Sequence, residues 1–257
     1  MIYLFLSILG LIIGSFLNAV IYRMHSGDSI VKGHSKCPQC SHQLGVKDLV
    51  PVFSWLWLRG KCRYCQAKIS WQYPIVELVT ALIFVLGYFV LVEPVIIVSF
   101  IVWLSYLYYL IAVSILIVIF VFDHQHGLIL DIVSLPLIVI AILFTIFLGQ
   151  DIVMHLLAGL VGFTWFGWQY AISKGNWVGG GDLRLGLAMG LLLGWPKIII
   201  ALFIAYIVGA IVGVYLLATK KKDRKSQIPF GTFLSAATII TWLWGSILWQ
   251  WYIGLFM

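Results

Sequence analysis

The sequence predicts an all-α polytopic membrane protein with about eight transmembrane helices and a polar loop between the first two. Hydrophobic residues make up 63% of the 257 positions and charged residues only 10%, which is far outside the range of soluble domains. The apolar residues also fall into runs, and several of these reach the roughly 20 residues needed to cross a hydrocarbon core about 30 Å thick. A soluble domain is therefore excluded as the fold class.

The first apolar run begins at Ile2 and ends near Tyr22, and the polar residues 23–73 follow it. The run has no basic segment before it and no A-x-A cleavage site, so we expect a retained helix and not a signal peptide. The short run 183–194 spans the membrane only if it is tilted or extended by the glycines before it. The other runs occupy approximately residues 75–92, 95–121, 128–148, 152–172, 196–218 and 229–254.

The positions of lysine and arginine favour eight spans over seven and orient them. With eight spans, the loops at 23–73, 122–127, 173–182 and 219–228 share one side, and the opposite loops hold only Lys197 of the 16 basic residues. Because lysine and arginine favour cytoplasmic loops, we expect the first set to face the cytoplasm. The net charge of +7 then reflects topology and contact with anionic lipid. Nucleic acid is the rival partner for such a charge, but the basic residues form no long stripe, so we expect none.

All four cysteines lie in the loop 23–73, as two C-x2-C pairs formed by Cys37, Cys40, Cys62 and Cys65. Four thiolates in two such pairs suit a tetrahedral Zn²⁺ ion, which would also explain how so small a polar loop folds. Two disulfides are the alternative, although a reducing cytoplasm disfavours them. Redox-active cysteine pairs are a second alternative, but the βαβ context expected for them is missing.

Three aspartates lie beside predicted helix ends. Asp131 and Asp182 open apolar runs, where a carboxylate caps backbone amides, so capping alone would account for either one. Asp123 instead follows the run 95–121, and the carboxyl end of a helix is unfavourable for a negative charge. Capping by its own helix therefore does not explain Asp123.

Asp123 and Asp182 are predicted to lie on the same side of the membrane at the same depth. The glycines before Asp182, including Gly179 and Gly181, suggest a backbone that an extended substrate can approach closely. Two adjacent carboxylates share one proton, so one can activate water while the other polarises a peptide carbonyl. The hypothesis is an aspartyl protease site. The rival function, a transporter or scaffold with an ion or proton pathway, also uses paired acids in the membrane.

Short motifs along almost the whole chain resemble those of the type IV prepilin peptidases, the bifunctional leader peptidases and N-methyltransferases of type IV pilus, type II secretion and competence systems. Three positions depart from the family pattern: Leu130 and Thr232 stand where proline is usual, and Arg184 where lysine is common. The matching motifs are Gly14-Ser15-Phe16-Leu17-Asn18, the two cysteine pairs, Leu49-Val50-Pro51-Val52-Phe53, Asp123 with Asp131, the Gly-x-Gly-Asp string ending at Asp182, and Ile228-Pro229-Phe230-Gly231.

The resemblance implies that Asp123 and Asp182 are catalytic and that Asp131, Gly179, Gly181 and Arg184 support them. It implies substrates with a short basic leader that ends in glycine before an apolar helix. Cleavage after that glycine would be followed by N-methylation with S-adenosylmethionine, at the cytoplasmic face of a bacterial inner membrane. The residues themselves reveal no methyl-donor site. The domain organisation we expect is a first helix at 1–22, a cysteine loop at 23–73 and a membrane peptidase domain at 74–257.

Overall fold

The structure is a computed structural model that describes residues 1–30, 33–95, 97, 99–220 and 228–255. Within these residues it contains helices and no β-strand, which confirms the all-α prediction. The helices are α1 (Ile2–Ser26), α2 (Phe53–Trp57), α3 (Gln72–Leu91), α4 (Phe100–His126), α5 (Asp131–Phe147), α6 (Ile152–Ser173), α7 (Gly180–Leu193), α8 (Lys197–Ala218) and α9 (Phe230–Gly254). A single 3-10 turn, Val46–Asp48, lies in the cysteine loop.

Eight of these helices coincide with the eight predicted runs, and six of them are long and apolar enough to cross a membrane: α1, α3, α4, α6, α8 and α9. The multi-pass prediction is therefore confirmed. Helix α5 has 17 residues and α7 has 14. At 1.5 Å per residue α7 is about 21 Å long, less than the thickness of the hydrocarbon core, although it begins at Gly180 and so includes two of the preceding glycines.

The first compact unit comprises residues 1–97, and the antiparallel packing of α1 against α3 holds it together. A Cβ atom at Gly10 would lie 2.4 Å from Cα of Ala81, and one at Gly14 would lie 2.7 Å from Cα of Glu77. Small residues allow this close approach of helices in a membrane. The expected boundary at residue 74 follows the change in composition, whereas the compact units divide after residue 97 because α3 packs along α1.

The second compact unit comprises residues 98–257, and α7 lies in its interior. Helices α5, α6, α8 and α9 all contact α7, and Leu185, Ala188 and Met189 of α7 are fully buried. Because neighbouring helices surround it, α7 can end at membrane depth without exposing its terminal backbone groups to lipid. The enclosure explains how a helix of 14 residues is accommodated and places the start of α7 inside the protein.

Glycines permit the tight crossing of α6 and α7. A Cβ at Gly162 would lie 2.1 Å from the carbonyl oxygen of Gly186, and one at Gly190 would lie 2.1 Å from that of Ala158. Gly162→Ala is therefore expected to lower the free energy of unfolding by about 1–3 kcal/mol, since an added methyl group overpacks the crossing. The melting temperature of the variant in detergent should fall accordingly. Gly167→Ala is the matched control, because a Cβ at Gly167 of the same helix meets nothing within 4 Å. Equal melting temperatures for the two variants would refute this account of the crossing.

Candidate active site and cysteine cluster

Asp123 is buried near the end of α4, with 3% of its surface exposed. Its Oδ2 accepts a hydrogen bond of 2.7 Å from the backbone N–H of Thr232 and one of 3.1 Å from the Thr232 hydroxyl. Thr232 is the third residue of α9, where backbone N–H groups have no partner within the helix. The carboxylate therefore lies at the positive end of α9. The position of Asp123 in the sequence indicates only the unfavourable end of α4, because the stabilising helix start is more than 100 residues away along the chain.

Asp182 is the third residue of α7, and its carboxylate folds back over the start of that helix. Its Oδ2 accepts a hydrogen bond of 3.0 Å from the backbone N–H of Gly179, and its own N–H donates to the Gly179 carbonyl at 3.1 Å. The capping that the sequence suggested for Asp182 is present in the structure. Asp123 and Asp182 thus both lie at helix N-termini, where a negative charge is stabilised.

Ile129 lies between the start of α7, which contains Asp182, and the start of α9, which donates hydrogen bonds to Asp123. A Cβ at Gly181 would lie 2.7 Å from Cβ of Ile129, and a Cβ at Gly231 would lie 2.6 Å from its Cδ1 and 3.0 Å from Asp123 Oδ2. The beginnings of α7 and α9 therefore pack on one side chain, with Asp182 in the first turn of α7 and Asp123 hydrogen-bonded at the start of α9. All described hydrogen bonds to these carboxylates go to their Oδ2 atoms.

The glycines before Asp182 have different surroundings. Gly181 lies inside α7 and needs a glycine because Ile129 occupies the space of a side chain. At Gly179 and Gly180 the nearest atoms to an added Cβ would be 3.6 Å and 3.7 Å away, which is an ordinary contact distance. The sequence suggested that a substrate approaches the glycine backbone closely. At Gly181 the group that approaches closely is Ile129 of the protein itself.

Asp131 and Arg184, the two charged residues predicted to support the site, form an ion pair. Arg184 Nη1 lies 2.5 Å from Asp131 Oδ2, and the two side chains are 34% and 53% exposed. Asp131 is in the first turn of α5, but no side-chain hydrogen bond caps that helix. The pair instead links the start of α5 to the first turns of α7, the helix that begins with Asp182.

Breaking this ion pair is expected to reduce peptide cleavage modestly. Exposed pairs are worth little, so Asp131→Asn and Arg184→Gln should each lower the initial cleavage rate less than about fivefold. The double variant should be no slower than the slower single variant, because both substitutions remove one interaction. Asp151→Asn serves as the control, since Asp151 caps α6 through the N–H groups of Val153 and Met154. Complete loss of cleavage in Asp131→Asn would show that this carboxylate takes part in the chemistry.

The four cysteines of the loop come together as a cluster. Their Sγ atoms all lie within 4.8 Å of one another, with Cys37 and Cys62 buried and Cys40 and Cys65 exposed. The Cys37 and Cys65 sulfurs are 3.9 Å apart. Four sulfurs placed tetrahedrally at about 2.3 Å from a metal lie about 3.8 Å from one another, so the spacing fits a metal ion. All four are free thiols, which argues against the disulfide alternative.

The backbone builds each half of the cluster in the same way. The N–H of Ser41 donates to the Cys37 carbonyl at 2.9 Å, and the N–H of Gln66 donates to the Cys62 carbonyl at 3.0 Å. Both Ser41 and Gln66 have a positive φ. Each C-x2-C pair thus turns the chain tightly enough to aim both of its sulfurs at one point, as a metal-binding knuckle requires.

Asp48 links the second cysteine pair, Cys62 and Cys65, to the rest of the loop through hydrogen bonds. It accepts hydrogen bonds from Arg63 Nε at 2.7 Å, from the Tyr64 hydroxyl at 3.1 Å and from the Gly45 N–H at 3.1 Å. Burial opposes ionisation of Asp48, but these three donors hold the pKa of its carboxyl below the ordinary value. Sequence reasoning did not single out Asp48, because its partners come together only through folding.

Comparison with known proteins places both units in a family. The model of the type IV leader peptidase family matches residues 110–214, and that of the bacterial peptidase A24 N-terminal domain matches residues 8–91. A prepilin leader peptidase/N-methyltransferase of Aeromonas salmonicida is 32% identical, with the alignment covering 95% of this chain and 91% of the relative. The chain belongs to the type IV leader peptidase family.

Two further relatives are similar to the chain over most of its length. Proteins with the same name from Pectobacterium carotovorum and Pseudomonas aeruginosa are 32% and 29% identical. The alignments cover 90% and 93% of this chain and 88% and 89% of the relatives. No solved structure is significantly similar to the chain. The family match at 110–214 includes Asp123, Asp131 and Asp182 but ends before Thr232.

Thr232 is the residue at this site that sequence reasoning missed. It was noted only as a departure from the proline usual in the family motif. Proline has no backbone N–H, so neither hydrogen bond from Thr232 to Asp123 is possible with proline there. The departure was a visible signal, but its meaning depends on the proximity of α4 and α9, which are more than 100 residues apart in sequence.

Proposed function

We propose that this protein is a prepilin leader peptidase and N-methyltransferase, with Asp123 and Asp182 as its proteolytic dyad. The observation that carries the proposal is that the starts of α7 and α9 both pack on Ile129, since Asp182 lies in the first turn of α7 and Asp123 is hydrogen-bonded at the start of α9. The substrates would be precursors with a short basic leader that ends in glycine, followed by an apolar helix.

In this mechanism the two carboxylates hold a single proton between them, because adjacent like charges resist full ionisation. The ionised carboxylate takes a proton from water as the water oxygen attacks the scissile carbonyl carbon. The protonated carboxyl donates its proton to the carbonyl oxygen, which gives a tetrahedral gem-diol. As the C–N bond breaks, the proton removed from water passes to the leaving amine, and one hydroxyl of the gem-diol returns a proton to the other carboxylate, which restores the shared proton. Thr232 and the Gly179 N–H hold the Oδ2 atoms, which orients the Oδ1 atoms for this exchange.

The second activity would use S-adenosylmethionine, whose sulfonium supplies a methyl group to the amine that cleavage exposes. The amine nitrogen forms the new bond to carbon, the sulfur keeps the electron pair of the bond that breaks, and the amine loses a proton. The metal of the cysteine cluster would be Zn²⁺, which four thiolates suit, and its role would be to fold the loop. The geometry offers no observation that favours a transporter or scaffold over this function.

The direct test is cleavage of a synthetic precursor by the purified protein in detergent. The precursor carries a basic leader, a glycine and an apolar helix, and mass spectrometry identifies the products. We expect a single cut after the glycine and, when S-adenosylmethionine is added, one methyl group on the new N-terminus. A protein that leaves the precursor intact, or that cuts elsewhere, would rule out the proposed function.

We also propose that the active site and the cysteine loop face the cytoplasm of the bacterial inner membrane, since the basic loops would lie on that side. The predicted loop 219–228 includes residues 221–227, which lie outside the described residues. In a functional variant without the native cysteines, Lys222→Cys should resist an impermeant thiol reagent applied to intact cells. Gln150→Cys, in a loop on the other side, should react. Labelling at position 222 from outside would reverse the orientation.

A further inference from the structure

The first unit contains a cavity of about 550 Å³, a volume typical of small-ligand sites. The end of α1, the cysteine loop and the beginning of α3 surround it. Asn18 and Glu77 lie in its wall, together with the aromatic residues Tyr22, Trp55 and Tyr73. No residue of the proposed proteolytic site lines it, so the cavity is available for another role.

Glu77 is a buried carboxylate of this wall, with 6% of its surface exposed. Its Oε2 accepts a hydrogen bond of 2.7 Å from the backbone N–H of Val52, and Ser15 lines the same cavity. Within the described residues no basic side chain forms an ion pair with it, whereas Asp28 and Asp48, the other carboxylates of the wall, pair with Lys36 and Arg63. Burying a carboxylate without a cation is costly, so this charge points to a cationic ligand.

Asn18 supplies a second acceptor beside Glu77. It is 3% exposed, and its Nδ2 donates to the Tyr73 carbonyl at 3.1 Å, but its buried Oδ1 accepts no described hydrogen bond. A buried acceptor of this kind requires a donor. Gly14 of α1 packs on Glu77 of α3, and Asn18, one turn further along α1, reaches Tyr73, one turn earlier in α3, so Asn18 and Glu77 are neighbours where the two helices pack. One ammonium group, with three N–H donors, is of the right size to satisfy both.

The aromatic residues provide flat apolar surface in the same cavity. Trp55 is fixed in place, because its Nε1 donates to the Ile69 carbonyl at 3.3 Å and its ring packs 4.1 Å from that of Trp71. A Cβ at Gly60 would lie 2.8 Å from the Trp55 ring. Tyrosine and tryptophan faces bind planar rings and cations. The cavity therefore combines a binding site for an ammonium group with surfaces for a heterocycle.

We propose that this cavity is the methyl-donor site, in which Glu77 and the Asn18 oxygen bind the ammonium group of S-adenosylmethionine while the aromatic residues contact its adenine. The assignment rests on the proposed function, which requires such a donor. S-adenosylmethionine joins an amino-acid end to a planar heterocycle through a cationic sulfur, so its chemistry matches a cavity with negative charge and aromatic walls.

The test measures equilibrium binding of radiolabelled S-adenosylmethionine to the purified protein, separately from any methyl transfer. Glu77→Gln keeps an oxygen for the Val52 N–H but removes the charge, so it should bind the donor at least about tenfold more weakly than the wild type. The matched control is Glu93→Gln, because Glu93 is an exposed carboxylate of the same unit that does not line the cavity and accepts from the Tyr3 hydroxyl at 2.5 Å. The control should bind as the wild type does, and zinc content and melting temperature check the folding of each variant.

Ultraviolet cross-linking of the bound donor gives a second measurement. It uses the wild-type protein, so no effect of a substitution on folding enters the result. The labelled peptides should come from residues 15–23 or 54–77. Peptides labelled only within 98–257, equal binding by Glu77→Gln, or a wild type that cleaves precursor but binds no donor would each overturn this site. Precursor cleavage is measured on the same preparation, so a failure of the proposed function appears separately, as a wild-type protein without peptidase activity.

Discussion

Asp123→Asn and Asp182→Asn are each expected to abolish cleavage of a prepilin-like precursor while the protein remains folded in the membrane. An asparagine oxygen can still accept from Thr232 or from the Gly179 N–H, so the helix starts should keep their structure. The amide cannot exchange a proton at neutral pH. The expected loss in rate is at least about 10²-fold to 10⁴-fold, the usual contribution of a general acid or base.

The double variant should be no less active than either single variant, because the two carboxylates act as a unit. Initial cleavage rates of all three variants, measured in detergent on the same precursor, test this expectation. Asp151→Asn again serves as a control, since it removes a capping carboxylate from α6 and leaves the site intact. Robust cleavage by either single variant would exclude the dyad.

The distribution of apolar and basic residues was enough to predict the helices and the loop, because both depend on local composition. The sequence also predicts α7 as a short run that spans only if it is tilted or extended by the preceding glycines. The compact units were harder to predict. The packing of α3 along α1 depends on Gly10 and Gly14 facing Ala81 and Glu77, and glycines of this kind are visible in a sequence only once the partner helix is known.

The sequence predicts a set of candidate site residues but not their arrangement. The cap formed by Asp182 follows from its position at the start of a helix, and the structure contains it. The roles of Ile129 and Thr232 arise from contacts between α4, α7 and α9, which local patterns do not encode. Asp131 illustrates the same limit, because a cap was expected where the structure has an ion pair with Arg184.

Cys62→Ser is expected to remove the zinc proposed for the cysteine cluster and to abolish the proposed methyl transfer, while precursor cleavage persists. Three thiolates cannot complete the tetrahedral site, and metal binding supplies much of the folding free energy of small loops of this type, about 10–16 kcal/mol in zinc-finger peptides. Cys37 and Cys62 also line the cavity proposed for the methyl donor, so collapse of the knuckles would remove part of its wall. The aspartates belong to the second compact unit, which has its own helix packing.

The measurement compares zinc content, methyl transfer and cleavage in the wild type, in Cys62→Ser and in Lys47→Ser. Lys47 is an exposed residue of the same loop, and replacing it should leave about one zinc per chain. A wild-type protein without zinc would exclude the metal site itself. Equal and complete loss of both activities in Cys62→Ser, with the membrane helices still folded by circular dichroism, would show that cleavage depends on the cysteine loop. The two activities would then depend on more of the chain in common than the distance in sequence between the dyad and the cluster implies.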